Sequence, residues 1–187
     1  MGSYGVGLTF GSERVPERGE TVIGTLFRTD DGGKGSNQAV GAARLGAEVS
    51  FLTTVGRDDF GDRAFELWAR EGVDASAVLR SAEPTMTAAI LVEASGDNRI
   101  VIVPGALSSL TPEHLDGFAD RIAEADVLLV QLEIPVETAL HALVRRGDVP
   151  RYQVHELNQP SIRLAEALGL ERFATIEHWL AETPPSL

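Results

Sequence analysis

The residues best suited to bind a small ligand form a glycine-rich stretch, "GGKGSNQAVGAARLG", at residues 32 to 46. Three closely spaced glycines surround Lys34, and Asn37 follows directly before an alanine-rich run that ends at Gly46. Glycines let backbone N–H groups approach a ligand, and a helix that begins just after them adds the positive end of its dipole. Such a loop can bind an anion or a polyhydroxylated molecule.

The loop does not have the spacing of a phosphate-binding P-loop. Lys34 is followed by Gly35, so the pattern G-x-x-x-x-G-K-[ST] is absent, and no G-x-G-x-x-G follows a predicted strand. A structural role stays open, in which the glycines only relieve strain in a connecting segment. Taken alone, the loop favours neither the binding role nor the structural one.

Other polar residues offer further candidate sites. Glu133 follows the apolar run "LLVQL", and a carboxylate at the end of a buried strand needs a partner, which favours a functional role over a bond to nearby backbone. Asp58 and Asp59 precede a predicted helix, where capping is a commoner role than metal binding. No paired metal-ligand spacing is found among the histidines, His114, His141, His155 and His178.

Strands and helices alternate around these residues. Short apolar runs predict strands at "EVSFLTTVG" and "DVLLVQLEIP", and two β-rich runs around "SGDN" predict an antiparallel hairpin. Helical spacing places Phe65 and Trp68 in the core rather than in a sugar-stacking platform. The predicted helices are Asn37–Leu45, "RDDFGDRAFELWAREGV", "LTPEHLDGFADRIAEA" with Thr111 as N-cap, "VETALHALVRR", and one from about Ser161. This alternation indicates an α/β sheet with a small β appendage.

Composition limits the possible partners and location. The net charge of -12, from 28 acidic and 16 basic residues, argues against nucleic acid and anionic membrane surfaces, which need clustered cations. The chain has no cysteine, which suits a cytoplasmic protein. No apolar run approaches the roughly 20 residues of a membrane span, and the first residues lack a signal-peptide pattern. We therefore expect a globular cytoplasmic protein of one domain, with or without an appendage.

The longer stretch "GGKGSNQAVGAARLGAEVSFLTTVG" resembles the first signature of the ribokinase-like (PfkB) carbohydrate kinases. Its glycines, Asn37, Gly46 and Gly56 match in register. Further segments follow in the family's order: "RGETVIG", "VGRDDFG", the hairpin "MTAAILVEASGDNRIVIVPGA" and "LLVQLEIP". The resemblance covers about residues 2 to 145 and is specific, because so many ordered motifs match.

The resemblance implies a doubly wound α/β fold with a small β-sheet lid over a sugar. The lid is expected at about residues 10–36 and 85–106 and often forms a dimer contact in the family. ATP and Mg²⁺ are the cofactors that the family implies. The sugar-binding residues implied by the motif matches are Gly32, Gly33, Lys34, Asn37 and Glu133. The ligand thus expected is a small-molecule sugar.

Two departures from the family pattern limit this reading. The family's first motif usually reads G-S-x-N-x-D, whereas "GSYGVG" has Gly5 and Gly7 at the places of the asparagine and aspartate. The family's G-A-G-D motif, which carries the catalytic base, its N-x-x-E motif and its ATP-binding region are not found in these 187 residues. Catalytic residues are therefore not identified, and residues 147–187 are read as a divergent tail after a ribokinase-like portion, residues 1–146.

Three functional hypotheses follow. The chain is part of an ATP-dependent sugar kinase whose nucleotide-binding half is apparently missing, or a non-catalytic sugar-binding or dimerising module, or a degenerate remnant of a truncated gene. The matching glycine loop and lid hairpin favour the second. A G-A-G-D motif that continues in another reading frame of the DNA would favour the third.

Overall fold

The computed structural model describes residues 1–146 and 158–167. The chain divides into two compact units, Met1–Asp148 and Val149–Leu187. The strands are β1 (Gly5–Ser12), β2 (Gly24–Gly32), β3 (Val49–Ser50), β4 (Thr54–Gly56), β5 (Val73–Asp74), β6 (Leu79–Ser81), β7 (Thr87–Glu93) and β8 (Asn98–Val103). The helices are α1 (Lys34–Arg44), α2 (Asp59–Arg70), α3 (Pro112–Asp116), α4 (Ala119–Glu124), α5 (Val136–Arg146) and α6 (Gln159–Ala167).

A four-stranded sheet, hereafter the lid sheet, contains the segments expected to cover a sugar. Its strand order is β2-β1-β7-β8. β1 pairs antiparallel with β2 and parallel with β7, and β7 pairs antiparallel with β8. The predicted hairpin around "SGDN" is therefore confirmed as β7 and β8.

Two short parallel strand pairs form the α/β part of the first unit. β3 pairs with β5, and β4 pairs with β6. Parallel strands require a crossover connection, and α2 lies within both of them, the one from β3 to β5 and the one from β4 to β6. The strand predicted over "EVSFLTTVG" is split into β3 and β4, with Phe51 to Thr53 between them. These pairs agree with the predicted α/β class.

Asp58 caps α2, as the sequence predicts. Its Oδ1 accepts a hydrogen bond from the Gly61 backbone N–H at 2.8 Å, and the backbone N–H of Thr85 donates to Oδ2 at 2.8 Å. Burial raises the pKa of Asp58. The effect of burial is outweighed by these two hydrogen bonds, by a third from the Thr85 hydroxyl and by the charge of Arg80, so the pKa lies below its ordinary value. The carboxylate thus joins α2 to the segment just before β7, which explains its position without a metal.

Two apolar cores support the first unit. One lies around Trp68, which is fully buried together with Tyr4 and Val55 and confirms its predicted core position. The second core lies on the side of the short helices. Its fully buried or nearly buried members include Leu52, Met86, Leu107, Leu110, Leu115, Ile122 and Ile134.

The prediction of a buried strand over "DVLLVQLEIP" is wrong for the structure described. No strand is assigned between α4 and α5, and the side chains of Val127 and Leu129 are 71% and 54% exposed. The backbone of this segment meets Met1 at two points: the Met1 amino group donates to Leu129 O at 2.6 Å, and Gln131 N–H donates to Met1 O at 3.1 Å. Met1 alone cannot provide the ladder of backbone hydrogen bonds that would make this segment a strand.

The helix predicted over "LTPEHLDGFADRIAEA" is interrupted. α3 ends at Asp116 and α4 begins at Ala119, with Gly117 as the C-cap residue of α3. Thr111 is confirmed as the N-cap: its hydroxyl and backbone form a reciprocal capping box with His114. This contact gives His114 a structural role at the start of α3, so no metal is needed to explain its position.

The second unit is described only over residues 158–167, which contain α6. The helix predicted from about Ser161 is confirmed, and it begins two residues earlier. His155 and His178 lie outside the described residues. None of the helices in the described part of the chain is both long enough and apolar enough to cross a membrane.

Candidate sugar-binding site

The predicted binding loop packs directly against the first residues of the chain. Gly33 is the N-cap residue of α1 and has a φ of 92°, a left-handed conformation that favours glycine. A Cβ atom at Gly33 would lie 2.6 Å from Ser3 O and Tyr4 Cα, and one at Gly35 would lie 2.6 Å from Ser3 N. The glycines thus allow close backbone contact, which continues in the hydrogen bond from Ser36 N–H to Ser3 O at 2.8 Å.

Glu133 joins this loop from a distant part of the chain. Its Oε1 accepts a hydrogen bond from Lys34 Nζ at 2.6 Å, and its Oε2 accepts one from the Ser3 hydroxyl. The Lys34 backbone N–H, in the first turn of α1, also points to Oε2 at 3.5 Å. Gln131 Oε1 lies 3.2 Å from Ser3 Oγ. These four residues form a polar group, hereafter the Lys34–Glu133 cluster.

Electrostatics keeps Glu133 ionised in this cluster. Burial raises the pKa of its carboxyl, but hydrogen bonds from Lys34 and Ser3 and the positive charge of Lys34 outweigh burial, so the pKa lies below its ordinary value. Lys34 remains mostly exposed while Glu133 is largely covered. An ionised carboxylate beside an exposed ammonium can accept from one ligand hydroxyl while the lysine donates to another.

Of the five predicted site residues, the structure brings four together. Lys34 and Glu133 are bonded, and Gly32 and Gly33 form the backbone leading to them. Asn37 lies one turn further along α1 with an exposed side chain. It lines a neighbouring cleft of about 340 Å³ whose other residues are Asp31, Val40, Gly41, Arg44 and Leu67. Asn37 is therefore beside the Lys34–Glu133 cluster, and its role stays a prediction.

Ser3 is a member of the cluster that the sequence did not single out. It is a polar residue in "GSYGVG", two positions before β1, which is the signal that could have suggested it. Gln131 is likewise brought in by Ser3 rather than by a pattern of its own. Ser3 and Glu133 are 130 residues apart in the chain, so no local pattern indicates their contact.

One face of the lid sheet lies on the side of the cluster. Strand residues two apart share a face, so Gly5 and Gly7 lie on one face of β1, and Ser3, which bonds Glu133, lies two residues before Gly5. The register pairs Gly7 with Ala88, and a Cβ atom on Gly7 would lie 3.3 Å from Ile90 Cδ1. This face is therefore small or apolar near the cluster, whereas the cluster itself is polar.

The described residues offer no cluster of ligands for the Mg²⁺ that the family implies. No group of three or more acidic or histidine side chains that could hold a metal ion is found in residues 1–146 and 158–167. Asp58, the strongest carboxylate candidate, is occupied by the bonds that cap α2. These residues therefore assign no position to ATP or Mg²⁺.

The chain is similar to known carbohydrate kinases over most of its described part. The family described as pfkB family carbohydrate kinase matches residues 7–146. Ribokinase from Bacillus subtilis (strain 168) is 41% identical over 138 residues, which cover 74% of this chain and 47% of that protein. Deoxyribokinase from Salmonella typhi is 35% identical over 144 residues, covering 76% and 47%. The chain thus spans about half the length of these curated relatives.

Solved structures give the same result for the fold. Ribokinase from Thermotoga maritima has a TM-score of 0.71 and 36% identity, covering 77% of this chain and 48% of that one. Ribokinase from Arabidopsis thaliana complexed with ribose and ATP has a TM-score of 0.69 and 31% identity, covering 77% and 49%. The predicted ribokinase-like α/β fold is confirmed for the matched portion.

Proposed function

The chain belongs to the pfkB family of carbohydrate kinases, and from that premise we propose that it is the sugar-binding portion of an ATP-dependent sugar kinase. The kinase would transfer the γ-phosphate of ATP to a sugar hydroxyl. The observation that carries the proposal is the bonding of Glu133 to both Lys34 and Ser3 at the start of α1. These residues support sugar binding through paired donors and acceptors.

The cluster suits a polyhydroxylated ligand for three reasons. The carboxylate of Glu133 can accept bonds from hydroxyls, and the Lys34 ammonium can donate to them. The first N–H groups of α1 lack partners within the helix and carry partial positive charge. A site built from such groups discriminates strongly against ligands without matching hydroxyls, because its polar groups would then be left unpaired.

ATP and Mg²⁺ belong to this proposal as partners of a different part of the kinase. The alignments cover 47% of the curated relatives, so just over half of each relative has no counterpart in the match. We assign the nucleotide and magnesium sites to a polypeptide that corresponds to this remaining part. In phosphoryl transfer, positioning and electrostatic stabilisation of the phosphoryl group supply nearly all of the catalysis. The cytoplasmic location stays a prediction, which cell fractionation checks.

Calorimetric titration of the purified chain with pentoses and hexoses tests the sugar-binding proposal. At least one sugar is expected to bind, and Glu133→Gln is expected to weaken its binding at least tenfold, as is typical when a bond to a charged group is lost. Glu137→Gln, an exposed acidic residue on α5, is the matched control and is expected to bind like the wild type.

Either of two results would contradict the proposal. A folded wild type that binds none of the sugars would remove the sugar-binding function. Equal binding by wild type and Glu133→Gln would remove the Lys34–Glu133 cluster from the site. ADP release with ATP, Mg²⁺ and the bound sugar, measured in parallel, separates a non-catalytic module from an active kinase.

We also propose that two copies associate through the exposed part of one face of the lid sheet, the face that carries Phe10 and lies opposite to Gly5 and Gly7. On this face Phe10 and Phe27 form a ring pair at 5.1 Å, and both rings are exposed. Val101 on β8 points to the same face and is 66% exposed. Contiguous exposed apolar side chains of this kind are typical of association surfaces.

Sedimentation analysis of two charge variants tests this association. Val101→Lys is expected to convert a dimer to a monomer, because it places a charge in the apolar face. Val144→Lys, at an exposed valine on α5 (77% exposed), is the control and is expected to leave the dimer intact. A wild-type chain that is monomeric at micromolar concentration would contradict the proposal.

A further inference from the structure

Met86 fills the space where Gly5 has no side chain, and Gly5 lies two residues after Ser3 of the Lys34–Glu133 cluster. Gly5 opens β1 and pairs with Gly32, next to the binding loop. On its other side, Val6 N–H donates to Met86 O at 2.9 Å. A Cβ atom at Gly5 would lie 2.5 Å from Met86 Cε and 3.1 Å from Met86 Cβ. The methionine side chain therefore lies where a side chain at position 5 would begin.

The surroundings of Met86 are apolar on the side away from the cluster. Met86 is 8% exposed and packs in the second core with Leu52 and Leu107. Ile90 continues the same lid face, with Cδ1 positioned over Gly7. The proposed pocket thus has two unlike sides: the polar Lys34–Glu133 cluster, and a wall formed by a thioether, an aliphatic side chain and glycine backbone.

This asymmetry matters for a ligand that carries hydroxyls around its ring. A hydroxyl that faces the cluster finds a carboxylate, an ammonium or a backbone N–H. A hydroxyl that faces Met86 finds only a thioether sulfur, which is a weak acceptor and no donor. Such a hydroxyl loses its bonds to water without replacement, whereas a CH₂ group at the same place makes apolar contact.

We propose that Met86 determines the specificity of this site and favours a deoxy sugar, whose deoxygenated carbon faces Met86 and whose remaining hydroxyls face the Lys34–Glu133 cluster. This inference rests on the proposed sugar-binding function and adds the class of sugar. Met86 is a specificity residue that would contact the ligand, and it takes no part in phosphate transfer.

Titration of the wild type with D-ribose, 2-deoxy-D-ribose and 3-deoxy-D-ribose tests the preference. One deoxy sugar is expected to bind about 10 to 100 times more tightly than ribose, the range in which an apolar pocket rejects an added hydroxyl. Met86→Gln, of similar length but with an amide that bonds hydroxyls, is expected to reduce this ratio to within about threefold of unity. Met86→Leu, which keeps the wall apolar at similar volume, is expected to retain it.

The variants are compared only after circular dichroism shows that each is folded. If Met86→Gln does not fold, Met86→Ala replaces it, because the space it opens admits water beside the hydroxyl and should also lower the ratio. Ribose binding as tightly as both deoxy sugars, or an unchanged ratio in the folded polar or small variant, overturns this inference alone. A folded wild type that binds none of the three sugars overturns the sugar-binding function and this inference together.

Discussion

Replacement of Trp68 by alanine is expected to lower the free energy of unfolding by about 3 to 5 kcal/mol, the range measured for large aromatic truncations in cores. Trp68 is fully buried on α2 and contacts three aromatic rings edge-on, those of Tyr4, Phe51 and Phe65, at centroid distances of 5.2, 5.3 and 5.6 Å. Its indole Nε1–H also donates to the buried Ser36 hydroxyl at 2.9 Å. Alanine would leave a cavity at the centre of the core and a hydroxyl without its donor.

Urea denaturation followed by circular dichroism measures this loss. Because small domains are typically stable by only about 5 to 15 kcal/mol, the variant is expected to unfold at much lower denaturant concentration than the wild type. Leu45→Ala is the control: Leu45 is 90% exposed, and its truncation is expected to change stability by no more than about 0.5 kcal/mol. A loss below about 1 kcal/mol for Trp68→Ala would contradict the assigned core position.

Replacement of Gly33 by alanine is expected to disrupt both the binding loop and the fold around it. The φ of 92° is unfavourable for alanine, and its Cβ would lie 2.6 Å from the backbone of Ser3 and Tyr4, which cannot rotate away. We expect a loss of at least about 2 kcal/mol in stability, since strained backbone positions cost about 1 to 3 kcal/mol before any clash. Relief of the clash must move the loop, and with it Lys34 away from Glu133.

Gly41 provides a matched control within the same segment. It lies inside α1, where no described atom comes within 4 Å of a Cβ atom placed on it. Gly41→Ala is therefore expected to stabilise the chain by about 0.5 to 1 kcal/mol, because alanine has the higher helix propensity. Thermal unfolding and sugar titration of both variants give the comparison. Wild-type stability and sugar affinity in Gly33→Ala would refute the close packing of the loop.

Features confined to one short segment were predictable. The cap of α2 by Asp58, the capping box at Thr111 and the hairpin of β7 and β8 follow from neighbouring residues, because each depends on bonds within a few positions. The family was likewise evident from ordered motifs along residues 2 to 145. Gly33 was predicted as a site residue. The sequence did not predict that a glycine is needed there because the backbone of Ser3 lies in contact with it.

Strand formation at Asp126–Pro135 shows where local sequence is insufficient. Its apolar residues favour a strand, yet a strand exists only when another strand of several residues hydrogen-bonds to it. In the described structure this segment bonds at two points to Met1, and Val127 remains exposed. Apolar composition therefore indicated a preference for the extended conformation, and the available partner decided the outcome.

The sequence by itself determined the family and the glycine loop before α1, and it predicted Lys34 and Glu133 as site residues. Only the tertiary structure decided that Ser3 joins them and that Met86 occupies the space beside Gly5. The physical reason is the distance along the chain. Ser3 and Glu133 are 130 positions apart, and Gly5 and Met86 are 81 positions apart. Spatial proximity at such separations is set by strand pairing and core packing, which no local pattern contains.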